Sequence, residues 1–234
     1  MGTNYSPKIV TDGVILYLDA ANPKCFTEGQ TTCINMASGG LVTGASGTPS
    51  SGAHTPNPLN FPVYNSINSG IFDFAGGKGM NCEENLGYRT STSLCLWIYK
   101  KSSGSEYITD ARNDSGNWFL SNYTSDNINY TEQLTYNFGG SYNSSHTDFI
   151  NKWIFLVVTS NESESKLYLN GKQITGGART SIDEDFGKNF RIGTRYTTSG
   201  SWTGYMGPII AYSYALSDEE VKQNFNALRG RFEL

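Results

Sequence analysis

Apolar and polar residues alternate with period two along much of this chain, and the alternation stops at clusters of Gly, Asn, Ser and Pro. That is the pattern of short β-strands joined by tight turns. In residues 93–100, Leu94, Leu96 and Ile98 fall on one face and Cys95, Trp97 and Tyr99 on the other. Asp12-Gly13 turns into a first strand over 14–19, and 71–74 restarts the sheet. Weaker strands are expected between Tyr107 and Phe149, around 118–120 and 134–138. A strand led by Trp153 follows, over 153–159. Residues 166–174 then form a strand pair broken at Asn170-Gly171, a dipeptide suited to a type I′ turn because both central residues need positive φ.

Near the end the period changes. Val221, Phe225 and Leu228 recur at i, i+4 and i+7, behind a capping box of Ser217 and Glu220, which predicts one short helix. Gly204 and Gly207 are expected to bend the chain before its last strand. Residues 36–70 are rich in Gly, Ser, Pro and Asn, and Pro56, Pro58 and Pro62 preclude a central strand. A long surface excursion is expected there. The reading is all-β: a two-sheet antiparallel β-sandwich with a short C-terminal helix. Residues 1–9 form an arm stiffened by Pro7, and 10–234 form a single domain without internal repeats.

Composition fits that reading. The chain has 234 residues, 37% hydrophobic and 16% charged, with 26 glycines and 13% aromatics, which suits one sandwich of tightly turned strands. A net charge of −4 and a pI near 5.2 argue against a nucleic-acid partner. No apolar run has the length to cross a bilayer, so membrane insertion is not expected. The first ten residues lack the regions of a secretory signal; Gly2 and Ser6 fit a myristoylation pattern too short to carry weight. Cys25, Cys33, Cys82 and Cys95 lack metal-ligand spacing. Cys95 reads as a core residue. Cys25 and Cys33 are near enough for a loop disulfide, but free thiols are the expectation, which favours assembly in a reducing compartment.

Taken in order, residues 153–159, 166–174, 189–193 and 202–232 resemble the laminin-G-like jelly roll of the concanavalin A-like lectin/glucanase superfamily. Its members share a Trp-led strand, an LYVNG hairpin, an IG strand and a YNRALS-like ending. The opening stretch 12–24, DGVILYLDAANPK, is similar in wording to virion proteins of tailed bacteriophages. The resemblance covers residues 10–232 and speaks to fold more than to ligand.

It also frames the chemistry. Retaining glucanases of the superfamily carry an E-x-D-x-x-E strand that sets nucleophile and acid/base on one face. No such segment exists here. Glu162 and Glu164 precede a hairpin strand, and Asp183-Glu184-Asp185 reads as a loop; both are expected to be solvated turn charge. His54 and His146 belong to no nucleophile–base arrangement. No catalytic residue is expected, so the chain is read as not an enzyme.

Relatives often bind calcium through F-D-G-x-x-D. This chain has Phe74-Ala75-Gly76-Gly77-Lys78-Gly79, without either acid, so neither calcium nor another cofactor is expected. Asp183-Glu184-Asp185 has oxygen ligands for calcium, but an acidic loop tip is the weightier reading.

Sugar sites pair an aromatic platform with amides and carboxylates. Trp118, Tyr123, Tyr130, Tyr136 and Tyr142, interleaved with Asn113, Asn117, Asn122, Asn127 and Asn143, have that chemistry, as does Trp202 near Tyr196 and Tyr205. These aromatics are the candidate glycan or partner surface. Alternating aromatics also fill a sheet face, and that reading carries more weight.

The resemblance then implies a non-catalytic virion surface protein of a tailed bacteriophage, attached to capsid, neck, tail or fibre, with weak glycan adhesion. Its partners would be other virion proteins and a host-surface glycan, after assembly in the host cytoplasm. The alternative is a carbohydrate-binding lectin module of a bacterial or secreted adhesin, placed outside the cell. An unrecognised glycoside hydrolase ranks third.

Overall fold

The computed structural model describes residues 7–44, 61–75, 77–84, 86–101, 106–110, 118–123, 127–132, 150–178, 184–185, 190–194 and 200–234. In chain order the strands are β1 (Val14–Leu18), β2 (Cys33–Ile34), β3 (Leu41–Gly44), β4 (Val63–Asn65), β5 (Ile71–Asp73), β6 (Met80–Cys82), β7 (Tyr88–Arg89), β8 (Thr92–Lys100) and β9 (Glu106–Asp110). They continue with β10 (Trp118–Tyr123), β11 (Asn127–Glu132), β12 (Trp153–Ser160), β13 (Glu164–Leu169), β14 (Lys172–Ala178), β15 (Glu184–Asp185), β16 (Phe190–Ile192) and β17 (Gly204–Tyr212). Helix α1 (Asp218–Leu228) follows, extended by a 3-10 turn over Arg229–Phe232.

Two antiparallel sheets make the sandwich. The eight-stranded sheet runs β14-β13-β12-β8-β17-β5-β4, with β1 also pairing with β17; the seven-stranded sheet runs β11-β10-β9-β16-β6-β3-β2. A ribbon of β15 and β7 stands apart. The central strands have apolar residues at both parities, the mark of a sheet covered on both faces. Leu94, Leu96, Ile98, Leu156, Val158 and Ile209 face the other sheet and meet Val42, Met80, Ile108, Phe190 and Ile192. On the outer face, Cys95, Trp97, Phe155, Val157, Tyr168 and Tyr212 are covered by Val221, Phe225, Leu228 and Phe232 of the C-terminal segment. The predicted stripe of α1 thus closes a second, smaller core.

Burial favours pairing of polar groups, and around Asn224 in that second core they are paired, although Trp97 Nε1 has no hydrogen-bond partner. Asn224 is fully buried. Its Oδ1 accepts from Val10 N–H at 2.8 Å and its Nδ2 donates to Tyr212 Oη at 3.0 Å. Tyr212 in turn donates to the Val10 carbonyl at 3.0 Å, and Gln223 Nε2 donates to the Lys8 carbonyl at 2.8 Å. The capping box is formed as the sequence predicts, with Ser217 Oγ accepting from Glu220 N–H and Glu220 Oε2 accepting from Ser217 N–H. Asn170 and Gly171 have φ of 49° and 78°, and the hairpin turns there.

Three expectations need correction. The stretch 36–70 contains sheet: β3 lies between β2 and β6, and β4 forms an edge beside β5. Strands of three or four residues between Gly- and Pro-rich flanks leave too short an alternation to register. Gly204 and Gly207 lie inside β17, with an irregularity in pairing between Met206 and Ile209, rather than before it. They serve close packing: a Cβ on Gly204 would sit 2.0 Å from the Tyr99 carbonyl oxygen, and one on Gly207 would sit 2.5 Å from the Phe232 ring. Glu184 and Asp185, expected in a loop, pair with Arg89 and Tyr88 in the small ribbon; Asp183 lies outside the described residues.

Candidate functional site

The outer face of the eight-stranded sheet is covered along only part of its length. The C-terminal segment ends its cover at Phe232, whose ring stacks on Trp97 and touches Trp153 at 4.6 Å between centroids. One step further along the strands, Trp153, Tyr99 and Tyr205 are register partners across β12, β8 and β17. All three are half-buried. Tyr99 lies 5.6 Å from Trp153 and 5.5 Å from Tyr205, and the Trp153 and Tyr205 rings stack at 6.4 Å and 23°.

Charge borders this row. Lys101 Nζ sits 3.5 Å from the centroid of the Tyr205 ring and 3.8 Å from Asp73 Oδ2. Asp73 Oδ1 accepts from Ala75 N–H at 2.9 Å, which fixes the carboxylate against β5. Gly204 brings β17 close enough to β8 for the Tyr99 and Tyr205 rings to meet. The site therefore offers ring surface for C–H groups, an ammonium with three donors and a carboxylate acceptor within one side-chain length. That set matches one face of a sugar ring and its hydroxyls.

A second surface runs along the helix. The Asn170-Gly171 turn and α1 enclose an open cleft of about 710 Å³, lined by Tyr168, Lys172, Lys222, Phe225 and Arg229 among others. Tyr168 donates to Asp218 Oδ1 at 2.7 Å, pinning the hairpin to the helix. Burial, then that hydrogen bond, push the Tyr168 phenol well above its ordinary value.

The aromatics singled out from sequence divide differently. Trp118 and Tyr123 lie in β10 and Tyr130 in β11, at the edge of the seven-stranded sheet. Their Cα partners are Glu132, Asn127 and Leu120 respectively. Tyr136 and Tyr142 lie outside the described residues. Trp202 does not belong to a ligand surface: it is 1% exposed and packs in the core between the sheets. It follows Gly200-Ser201 inward, and its backbone N–H donates to the Gly193 carbonyl at 2.8 Å.

Sequence reasoning missed the Trp153–Tyr99–Tyr205 row because it depends on register across three strands. The available signal was parity: Tyr99 follows Trp97, and Trp153 precedes Phe155, by two positions each. Among the described residues, no group of three or more His, Cys, Asp or Glu is placed to hold a metal ion. No helix among them is long and apolar enough to cross a membrane.

Solved structures share this architecture. Domain 4 of AbnA, a GH43 extracellular arabinanase from Geobacillus stearothermophilus, solved with arabinotriose, superposes with a TM-score of 0.66 at 14% identity, over 90% of this chain and 97% of that one. The botulinum neurotoxin type G receptor-binding domain gives 0.63 at 14%, over 92% and 51%. The serotype D ligand-binding domain in complex with N-acetylneuraminic acid gives 0.62 at 17%, over 92% and 50%. The chain spans about half the length of these toxin domains. At such identities the likeness is one of fold. No curated protein matches the chain. Residues 75–222, spanning the inner strands, the Asn170-Gly171 hairpin and the capping box, match a laminin-G family model, and the chain belongs to the concanavalin A-like lectin/glucanases superfamily.

Proposed function

We propose that this chain is a non-catalytic carbohydrate-binding module, and that the Trp153–Tyr99–Tyr205 row with Lys101 and Asp73 is its sugar-contacting surface. The observation that carries the reading is this row: half-buried rings held side by side by strand register, with a cation and a carboxylate at their border. The arabinotriose and N-acetylneuraminic acid complexes of its structural neighbours support it at the level of fold. In this row Asp73 is the acid, whereas glycoside hydrolysis ordinarily uses a pair of carboxylates across the scissile bond.

The test is a glycan array followed by calorimetric titration of the sugars that score, with arabinotriose and N-acetylneuraminic acid included. Tyr99→Ala and Trp153→Ala should each weaken binding about two- to ten-fold, the range for one aromatic contact, while the fold is retained by circular dichroism. Unchanged affinity in both folded variants removes this surface, and hydrolysis of any bound sugar by clean protein ends the non-catalytic reading.

A second reading places the same module on a tailed-phage particle, outside the cell only after assembly in the host cytoplasm. The wording of residues 12–24 favours it. Mass spectrometry of purified particles decides between a stoichiometric virion component and a free or cell-borne adhesin.

A further inference from the structure

Cys25 and Cys33 flank a short loop whose positions 27–31 are all exposed, while both cysteines are buried at 2% and 1%. Both side chains lie in the core between the sheets, where each shifts the other's ionisation. The backbone holds them there: Ile34 N–H donates to the Cys25 carbonyl at 2.9 Å, and β2 is anchored by the pairing of Cys33 with Val42. Cys25 Sγ accepts from Asp19 N–H at 3.3 Å. That backbone donor favours the Cys25 thiolate. The neighbouring Cys33 side chain, against burial, holds the Cys25 thiol below its ordinary value, whereas Cys25 and burial push the Cys33 thiol up. Cys82 and Cys95 have different surroundings: burial is the largest cause pushing each thiol up, with Glu84 and Glu83 adding to it at Cys82 and the Asn224 hydrogen bond opposing it at Cys95.

We propose that Cys25 and Cys33 are a redox pair that closes to a disulfide when the chain meets a low-molecular-weight disulfide such as oxidised glutathione. Cys25 is the attacking thiolate. It takes one sulfur of the co-reactant as a mixed disulfide and releases one glutathione thiolate. Cys33 gives its proton to that leaving group, and its sulfur then displaces the second glutathione from Cys25. Two protein thiols are oxidised, one small disulfide is reduced to two thiols, and the new bond is Cys25 Sγ–Cys33 Sγ. Access requires the exposed loop to open, so closure is expected to be slow in the native state. Once made, the bond joins the end of β1, through Asp19, to β2 at the sheet edge.

The folded full chain is incubated with oxidised glutathione, denatured in iodoacetamide and weighed intact, beside a reduced control. The reduced chain should take four alkyl groups, one for each cysteine, and the oxidised chain two. Peptide mapping should join Cys25 to Cys33. Cys33→Ser should instead retain a glutathione adduct on Cys25, a readout that loss of packing does not produce. Four alkyl groups after oxidation, a bridge through Cys82 or Cys95, or a lasting glutathione adduct in the unaltered chain overturns the proposal. The measurement on the unaltered chain stands alone if the variant fails to fold.

Discussion

The ring of Phe232 lies 4.2 Å from that of Trp97 at an interplanar angle of 16°. Phe232 is 2% exposed and also contacts Trp153, so one side chain closes the outer core and sets the inner border of the aromatic row. Phe232→Ala leaves a cavity between the C-terminal segment and the sheet. The expected loss is about 3–5 kcal/mol in urea unfolding, with Trp emission shifted to the red in the folded variant. A stability equal to that of the unaltered chain would show that the segment does not lean on this contact.

Arg231, next to it, ties the C-terminus to the segment after β1 and to the turn between β4 and β5. Its Nη1 donates to both Asp19 carboxylate oxygens at 2.9 Å, its Nε donates to the Asn68 carbonyl and its Nη2 to the Gly70 carbonyl. Side-chain exposures of 14% for Arg231 and 10% for Asp19 make the pair a largely desolvated one. Arg231→Ala strands the carboxylate and should cost about 3–5 kcal/mol. Arg231→Lys should recover little, because a single ammonium cannot reproduce the fork of donors. In a double-mutant cycle with Asp19→Asn, the two losses should fall short of additive.

Gly204 tests whether the aromatic row is held by the backbone. A methyl group there would meet the Tyr99 carbonyl oxygen at 2.0 Å, so β17 and β8 must separate. Gly204→Ala is expected to destabilise by about 1–3 kcal/mol and to weaken sugar binding by moving Tyr205 from Tyr99. Gly29→Ala is the control: nothing lies within 4 Å of its Cβ, and only its φ of +86° penalises the change. Its affinity should be unaltered.

Glu220 gives a pH dependence with a defined sign. Burial disfavours its charged form, but hydrogen bonds from Ser217 N–H, Tyr214 Oη and Ser217 Oγ outweigh that and hold the carboxyl below its ordinary value of 4.5. A folded-state value below the unfolded one contributes stability above pH 4.5, and this is lost as pH falls through the lower, folded value. Glu220→Gln should flatten that limb of the stability curve, measured as urea midpoints between about pH 6 and pH 3. Ser217→Ala should cost about 1 kcal/mol at neutral pH through the lost cap.

Much of this molecule is legible along the chain because its signals are local. The turn at Asn170-Gly171 follows from residues that tolerate positive φ, and the start of α1 follows from the reciprocal bonds of Ser217 and Glu220. The alternation in 93–100 assigns Leu94, Leu96 and Ile98 to one core and Cys95 and Trp97 to the other. The short strands β2, β3 and β4 carry too little pattern to announce themselves, and only pairing with their neighbours in the sheets makes them strands.

The candidate site shows the limit of sequence more sharply. By composition Trp202 and Tyr205 looked alike, as aromatics near a Gly-Ser loop. The sequence by itself determined which residues alternate, where the chain turns and where the helix begins. Only the tertiary structure decided that Trp202 turns between the sheets while Trp153, Tyr99 and Tyr205 stand together beyond Phe232. Alternation distinguishes the two faces of a strand, but whether a face is covered depends on how far a distant segment reaches across it.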